Sequence, residues 1–150
     1  KQLNEGIVQD YRYDYLCIEP KIVWAPSALF EVEYKATVSC VGGGIGEDTS
    51  LDPLWEVAQR LTLSLEFHDT EFRLSGEHFY NDLSKNQHLN IWLADVSLIH
   101  KAGKWRFAAS AINLFNKEQY RYTLYSAVQS YTSWIKLRPR EFMVSVQYQW

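Results

Sequence analysis

The sequence predicts an all-β protein, an antiparallel up-and-down transmembrane β-barrel, from three observations. Segments that alternate apolar and polar residues recur along the chain, and each places one chemistry on each face of an extended strand. Aromatic residues make up 15% of the 150 residues, a composition that favours β-strands. The connections between these segments are short and long in turn, which is typical of outer-membrane barrels.

The alternation predicts about seven strands in a single barrel segment that spans residues 1–150 and contains no plug domain. The first strand, residues 11–24, is irregular because Pro20 removes a hydrogen-bond donor from the ladder. Three of the regular runs have the roughly 9 to 11 residues that a tilted lipid-crossing strand needs, and the other three, with seven, are still longer than the about 5 to 6 residues most common in soluble strands. The other six strands are residues 30–40, 60–68, 71–77, 92–98, 105–111 and 141–150.

The connections predict two different rims for the sheet. Every other connection of an up-and-down meander lies at the same end, so one rim should carry tight turns and the other long loops. Short turns face the periplasm in outer-membrane barrels. We predict tight turns at residues 25–28, 68–70 and 101–104, and long loops at residues 42–54, 81–88 and 116–132.

Aromatic side chains cluster near the short-turn ends of the predicted strands. Amphipathic rings settle at the headgroup level of a bilayer, so a girdle at one interface would have this placement. The end of an aromatic core in a soluble β-sandwich is the alternative. Mixed charges on the polar face fit either a hydrated lumen or a solvated sheet face. The six aromatic residues are Trp24, Phe30, Phe67, Phe72, Trp105 and Trp150.

No enzymatic, cofactor-binding or metal-binding site is predicted. The net charge of −3 supplies no basic field for a nucleic-acid backbone. The four histidines are spread over different predicted strands without metal-ligand spacing. The sequence contains no nucleophile elbow and no phosphate-cradling loop.

The two cysteines allow two interpretations. Cys17 and Cys40 lie at nearly equal distances from a turn near Ser27, so a disulfide across adjacent strands is conceivable in an oxidising compartment. Pro20 makes the register uncertain. We favour two unpaired cysteines.

Two segments near the end of the chain carry a resemblance to a known family. Residues 104–117 form a strand that ends in Asn113, Leu114, Phe115 and Asn116, and residues 141–150 form a last strand that ends in an aromatic residue. The apolar face of this last strand consists of Phe142, Val144, Val146, Tyr148 and Trp150.

Together with residues 74–81 and 93–98, these segments resemble the C-terminal part of the β-barrel of TonB-dependent outer-membrane receptors, especially those of Bacteroidetes-like bacteria. The four-residue motif alone is weakly specific, and its combination with the terminal strand is strong. The resemblance implies a bacterial outer-membrane location and a 22-stranded barrel around a plug, of which this chain supplies about the last seven strands.

The resemblance also implies a function and partners. The function is uptake of a nutrient or a metal chelate, and the chain itself needs no cofactor. The partners are outer-membrane lipid, the remainder of the barrel and plug from the same gene product or a second chain, and the barrel-assembly machinery, which reads the terminal strand. A surface lipoprotein over the loops stays open as a further partner, and no nucleic acid is expected.

An odd number of strands leaves an unpaired edge, which is unfavourable in lipid. We therefore expect a fragment, or one chain of a barrel that another polypeptide completes. If residues 1–10 or 118–130 hold one more strand, a small closed outer-membrane barrel becomes the alternative. A soluble β-barrel or sandwich that binds a ligand is the alternative from another class of protein.

Overall fold

The computed structural model describes residues 2–4, 7–45, 49–84, 87–125 and 130–150. These residues form strands, turns and extended connections, and no helix is found among them. The all-β prediction is confirmed. The twelve strands are β1 (Gln2–Asn4), β2 (Ile7–Gln9), β3 (Tyr11–Ile18), β4 (Lys21–Ser27), β5 (Phe30–Ile45), β6 (Thr49–Phe67), β7 (Thr70–Ser84), β8 (Gln87–Ala102), β9 (Trp105–Ile112), β10 (Gln119–Tyr125), β11 (Ser130–Lys136) and β12 (Glu141–Tyr148).

Eight of these strands form one antiparallel sheet in the order β12-β9-β8-β7-β6-β5-β3, with β4 also paired to β5. Strands β3 and β4 follow the same edge of β5 and are interrupted at Glu19 and Pro20. The carbonyl of Pro20 still accepts a hydrogen bond from the Ala36 amide at 3.0 Å. The predicted antiparallel, up-and-down order is therefore confirmed, and the irregular first strand is a strand broken at Pro20.

The sheet is open within the described part of the chain. Its two edges, β12 on one side and β3 with β4 on the other, do not pair with each other. The remaining strands form two separate hairpins, β1 with β2 and β10 with β11. Neither hairpin supplies the extra strand that a small closed barrel would need.

Two of the predicted long loops are mostly strand. In residues 42–54, β5 continues to Ile45 and β6 already begins at Thr49, with a register shift between Val41 and Gly43. In residues 81–88, β7 and β8 stay paired as far as Ser84 and Gln87. The prediction was wrong because a backbone ladder continues through residues that do not alternate apolar and polar.

Gly43 shows why a glycine stands in one of these extensions. A Cβ at this position would collide with the carbonyl oxygen of Arg12 on β3. The close approach of β3 therefore requires a residue without a side chain.

The third predicted loop, residues 116–132, also contains regular structure. Its residues 119–125 form β10 and residues 130–132 begin β11, and the two strands pair from Gln119 with Lys136 to Tyr125 with Ser130. Residues 119–124 do alternate polar and apolar, but two of the three apolar positions are tyrosines, whose hydroxyl groups make the pattern less distinct in the sequence.

The sheet is a single layer with a small buried fraction. The buried apolar residues in the described ranges are Ala36, Ile91 and Ala111, and no large side chain there is fully buried. A sandwich of this size would bury a continuous core between two sheets. The two faces of this sheet, and not an interior, therefore carry its chemistry.

Candidate functional site

One face of the sheet is a continuous apolar band. The cross-strand register places seven apolar residues in one row, and the next row toward the tight turns repeats the pattern. The first row consists of Trp24, Val32, Leu63, Leu74, Val96, Ala111 and Phe142. The second row consists of Phe30, Leu65, Phe72, Leu98, Ala109 and Val144.

Among the described residues, none forms a second protein layer against this band. Phe142 is 73% exposed and Val144 is 81% exposed. Contiguous apolar surface of this kind is rare on monomeric soluble proteins and marks a contact surface.

Aromatic rings lie within the band toward its tight-turn end and at that end. The rings of Trp24 and Phe30 meet edge to face with centroids 5.8 Å apart. Trp105 lies 4.8 Å from Tyr148, and the Tyr148 ring lies 5.5 Å from that of Trp150. The register puts the predicted girdle residues Phe67 and Phe72 on the same face, so the sequence-derived aromatic cluster lies at one end of the band.

A row of polar side chains, which we call the polar row, borders the opposite end of the band. It comprises Tyr34, Gln59, His78, Asn90 and Trp92. The Tyr34 hydroxyl donates to Gln59 Oε1 at 2.8 Å, Gln59 Nε2 lies 2.9 Å from His78 Nδ1, and His78 Nε2 lies 3.0 Å from Asn90 Oδ1. The Trp92 ring stacks on His78 with centroids 4.2 Å apart. This row could not be predicted from the sequence, because its members come together only through the register of four strands.

The other face of the sheet is polar and charge-balanced. Glu33 pairs with Lys21 at 3.1 Å and with Lys35 at 2.7 Å. Arg60 pairs with Glu77 across neighbouring strands. Glu33, Arg60 and Glu77 belong to the lining of a polar groove of about 460 Å³. Its other lining residues are Glu31, Thr62, Ser64, Arg73, Ser75 and Asp95.

The β10–β11 hairpin turns onto this polar face. The Tyr120 ring meets Phe79 of β7 with centroids 5.2 Å apart. Phe79 pairs in register with the buried Ile91 of β8. Within the hairpin, the Arg121 guanidinium lies 4.9 Å from the centre of the Trp134 ring. The hairpin therefore covers a small apolar cluster on a face that is otherwise polar.

The predicted motif forms the junction where the chain leaves the sheet after β9. Asn113 and Asn116 have positive φ angles of 53° and 52°, a region that asparagine tolerates better than most residues. The Asn113 amide donates to the Asp95 carboxylate, and the Leu114 amide donates to the Ala94 carbonyl, both at 2.8 Å. Phe115 is 55% exposed.

The Asn113 side chain also joins both ends of the hairpin insertion. Its Nδ2 donates to the carbonyls of Lys117 and Arg138 at 2.8 Å, and its Oδ1 accepts from the Lys117 amide at 2.9 Å. The Asn116 Oδ1 accepts from the Arg140 amide at 3.0 Å. The motif thus has a structural role at the junction of β9 and β12 that its sequence alone did not indicate.

The predicted face of the last strand belongs to the apolar band. Its residues pair with apolar residues of β9: Phe142 with Ala111, Val144 with Ala109, Val146 with Phe107, and Tyr148 with Trp105. Trp150 follows β12 and is fully exposed.

The two cysteines do not form a disulfide. Both thiols are free. Cys40 pairs with Leu16 and Cys17 pairs with Ser39, and successive residues of a strand point to opposite faces. The two cysteines are therefore one position away from facing each other, and their sulfur atoms lie on opposite faces of the sheet.

No set of three or more His, Cys, Asp or Glu side chains in the described ranges is arranged to hold a metal ion. The same ranges contain no helix with the length and apolar character needed to cross a membrane. The chain matched no protein-family model, no curated protein and no solved structure in the comparisons.

Proposed function

We propose that this chain is the C-terminal barrel portion of an outer-membrane TonB-dependent receptor that takes up a nutrient or a metal chelate. One observation carries the proposal: a single-layer antiparallel sheet exposes a continuous apolar face, while its other face is polar and carries both acidic and basic side chains. Lipid is the partner that such an apolar face fits, and a water-filled or plugged lumen fits the polar face.

The energetics of the apolar face favour lipid over water. Burial of apolar surface contributes roughly 25 cal/mol per Å². Transfer of the exposed apolar side chains of β12 and its neighbours from water into lipid would therefore be favourable by several kcal/mol in total. A soluble sandwich would cover them with a second sheet. In the described part of the chain no such sheet lies against them.

The height of the band matches a bilayer. Two residues of β8 mark the two ends of the band. Ala102 lies in the row of Trp105 and Tyr148, and Trp92 lies in the polar row, ten residues earlier. Ten residues span about 33 Å along a strand, which becomes about 23 Å at a tilt of about 45°. The apolar band of outer-membrane barrels is about 25 Å tall.

The open edges support a larger barrel. Unpaired backbone groups at β12 and β3 would have no hydrogen-bond partners in lipid, so further strands must complete the wall. The last strands resemble those of the receptor family, which implies that the remainder of its barrel and its plug complete this wall. The polar groove that contains Glu33, Arg60 and Glu77 would then face the plug.

In this proposal the chain acts as a wall and performs no chemistry. The apolar band holds the barrel in outer-membrane lipid, and the β10–β11 hairpin lies over the lumen. The tight turns would face the periplasm, as they do in other barrels of this kind.

Uptake and fractionation in the native host test this function. We expect that deletion of the codons for residues 1–150 abolishes uptake of one class of labelled ligand among ferric chelates, corrinoids and oligosaccharides. Uptake by the intact strain should stop when an uncoupler collapses the proton-motive force, because the family's transport is energised from the inner membrane. The protein itself should fractionate with the outer membrane.

Two results would overturn the proposal. One is quantitative recovery of a folded, monodisperse protein from aqueous buffer without detergent, which would favour a soluble ligand-binding domain. The other is unchanged uptake of every ligand class in the deletion strain.

A further inference from the structure

We propose that the polar row is a binding site for the saccharide headgroup of an outer-leaflet glycolipid. This inference rests on the proposed function, because it requires the apolar band to lie in the outer membrane with its tight turns toward the periplasm. The polar row borders the band at the end away from the tight turns. Its side chains would therefore lie at the level of the outer-leaflet headgroups.

The hydrogen bonds of the polar row run in one direction. The Tyr34 hydroxyl donates to Gln59 Oε1, which orients the Gln59 amide so that Nε2 donates to His78 Nδ1. With Gln59 Nε2 as the donor, His78 Nδ1 accepts, and its Nε2–H donates to Asn90 Oδ1. The chain of hydrogen bonds ends at Asn90, an exposed residue whose Oδ1 is the last acceptor and whose Nδ2 carries two further N–H donors.

Trp92 supplies a flat surface beside this terminal amide. One side of its ring stacks on His78, and the residue remains 53% exposed. A tryptophan at a membrane interface combines an apolar ring with a donor that can reach the wet side. A sugar ring has the matching chemistry, since its C–H faces pack on an aromatic ring and its hydroxyls accept hydrogen bonds from an amide.

The surrounding charges favour a neutral saccharide over a phosphate. No Lys or Arg belongs to the polar row. Asp82 lies two positions beyond Tyr80 on β7, where it accepts hydrogen bonds from the Tyr80 hydroxyl at 2.7 Å and from the Trp55 amide at 2.9 Å. A carboxylate near the site would repel an anionic headgroup.

Lipid retention by the complete protein tests the inference. The protein is inserted into phosphatidylcholine vesicles that contain equal minor amounts of diglucosyl-diacylglycerol and phosphatidylglycerol. It is then extracted in a mild zwitterionic detergent, and native mass spectrometry counts the lipids that remain bound. We expect the wild-type protein to retain the glycolipid in preference to phosphatidylglycerol.

Two variants and one matched control locate the site. Asn90→Leu and Trp92→Leu should each lower glycolipid retention on the order of fivefold, as expected for the loss of a hydrogen bond or a ring contact. Trp55→Leu removes an exposed tryptophan from the same face but outside the row, and it should leave retention unchanged. Because Asn90 is exposed, Asn90→Leu remains informative even if Trp92→Leu does not fold.

Equal retention in Asn90→Leu and wild type, or a preference of the wild type for phosphatidylglycerol, would overturn the inference. Failure of the proposed function gives a different result. In that case the protein stays monodisperse in buffer and does not become protected from protease when vesicles are added. A protein that inserts into vesicles but retains no glycolipid contradicts only the headgroup site.

Discussion

At the scale of single residues, the Asn113 side chain holds together the two ends of the segment between β9 and β12. It is 5% exposed, and its side chain makes three hydrogen bonds to the backbone of Lys117 and Arg138. It therefore ties the end of β9 to the segment that leads into β12. Asn116 has a similar φ but an exposed side chain with one such bond, which makes it a natural comparison.

We expect Asn113→Ala to lower the free energy of unfolding by about 2 to 3 kcal/mol, because it leaves several backbone groups without partners and places alanine at a positive φ. Asn113→Gly should lose less than Asn113→Ala, because glycine adopts a positive φ without strain, but it should still lose the side-chain hydrogen bonds. Asn116→Ala should lose about 1 kcal/mol. Urea unfolding in vesicles, followed by tryptophan fluorescence, measures all three. Equal losses for Asn113→Ala and Asn116→Ala would contradict the structural role of Asn113.

At the scale of elements, the strands are longer than the apolar band requires. Strand β6 has 19 residues and β8 has 16, whereas a tilted crossing needs about 9 to 11. The strands thus continue past the polar row into an extension whose backbone remains paired. Strand β9 does not continue in this way, because it ends at Ile112. The chain then forms the β10–β11 hairpin, which turns onto the polar face, and returns to the sheet as β12.

We expect Phe79→Ala to loosen the hairpin without affecting the sheet. The change removes the ring contact with Tyr120, and aromatic pairs of this kind contribute about 0.5 to 1.5 kcal/mol beyond their buried area. Amide hydrogen exchange in β10 should accelerate up to roughly tenfold, while exchange in β6 to β8 stays as it is. Phe67→Ala, which removes an exposed ring from the opposite face, serves as the control. Unchanged exchange in β10 would show that the ring contact does not hold the hairpin.

At the scale of the whole molecule, the absence of a second layer over the described sheet is the feature that separates the possible functions. In water, substitutions at exposed positions change stability little, whichever face they lie on. In a bilayer, the two faces differ strongly. Val144 and Ser145 are neighbours on β12, exposed on opposite faces, so the pair reports the environment of each face from one place in the fold.

We expect Val144→Arg to destabilise the vesicle-inserted protein by about 2 to 4 kcal/mol, the penalty for a lipid-facing cation near the bilayer centre. Ser145→Arg should change stability by less than about 0.5 kcal/mol, because it faces the polar side. The fraction of folded protein after dilution from urea into vesicles measures both. Equal effects of the two substitutions would contradict a lipid environment for the apolar band.

The sequence alone determined the strands that alternate, their antiparallel order and the sorting of apolar and polar side chains onto two faces. It did so because alternation is a local property of extended backbone with a period of two. The aromatic cluster at the tight-turn end, formed by residues such as Trp24 and Trp105, could be predicted for the same reason.

Only the tertiary structure decided which residues meet across strands. The separation of Cys17 from Cys40, the hydrogen bonds of Gln59 with His78 and the contact of Phe79 with Tyr120 all depend on register or on the path of a connection. A shift of one residue moves a side chain to the other face, and no local pattern in one strand reports the alignment of its neighbour. The strand extensions at Gly43 and Ser84 escaped prediction because backbone pairing, and not side-chain alternation, holds them.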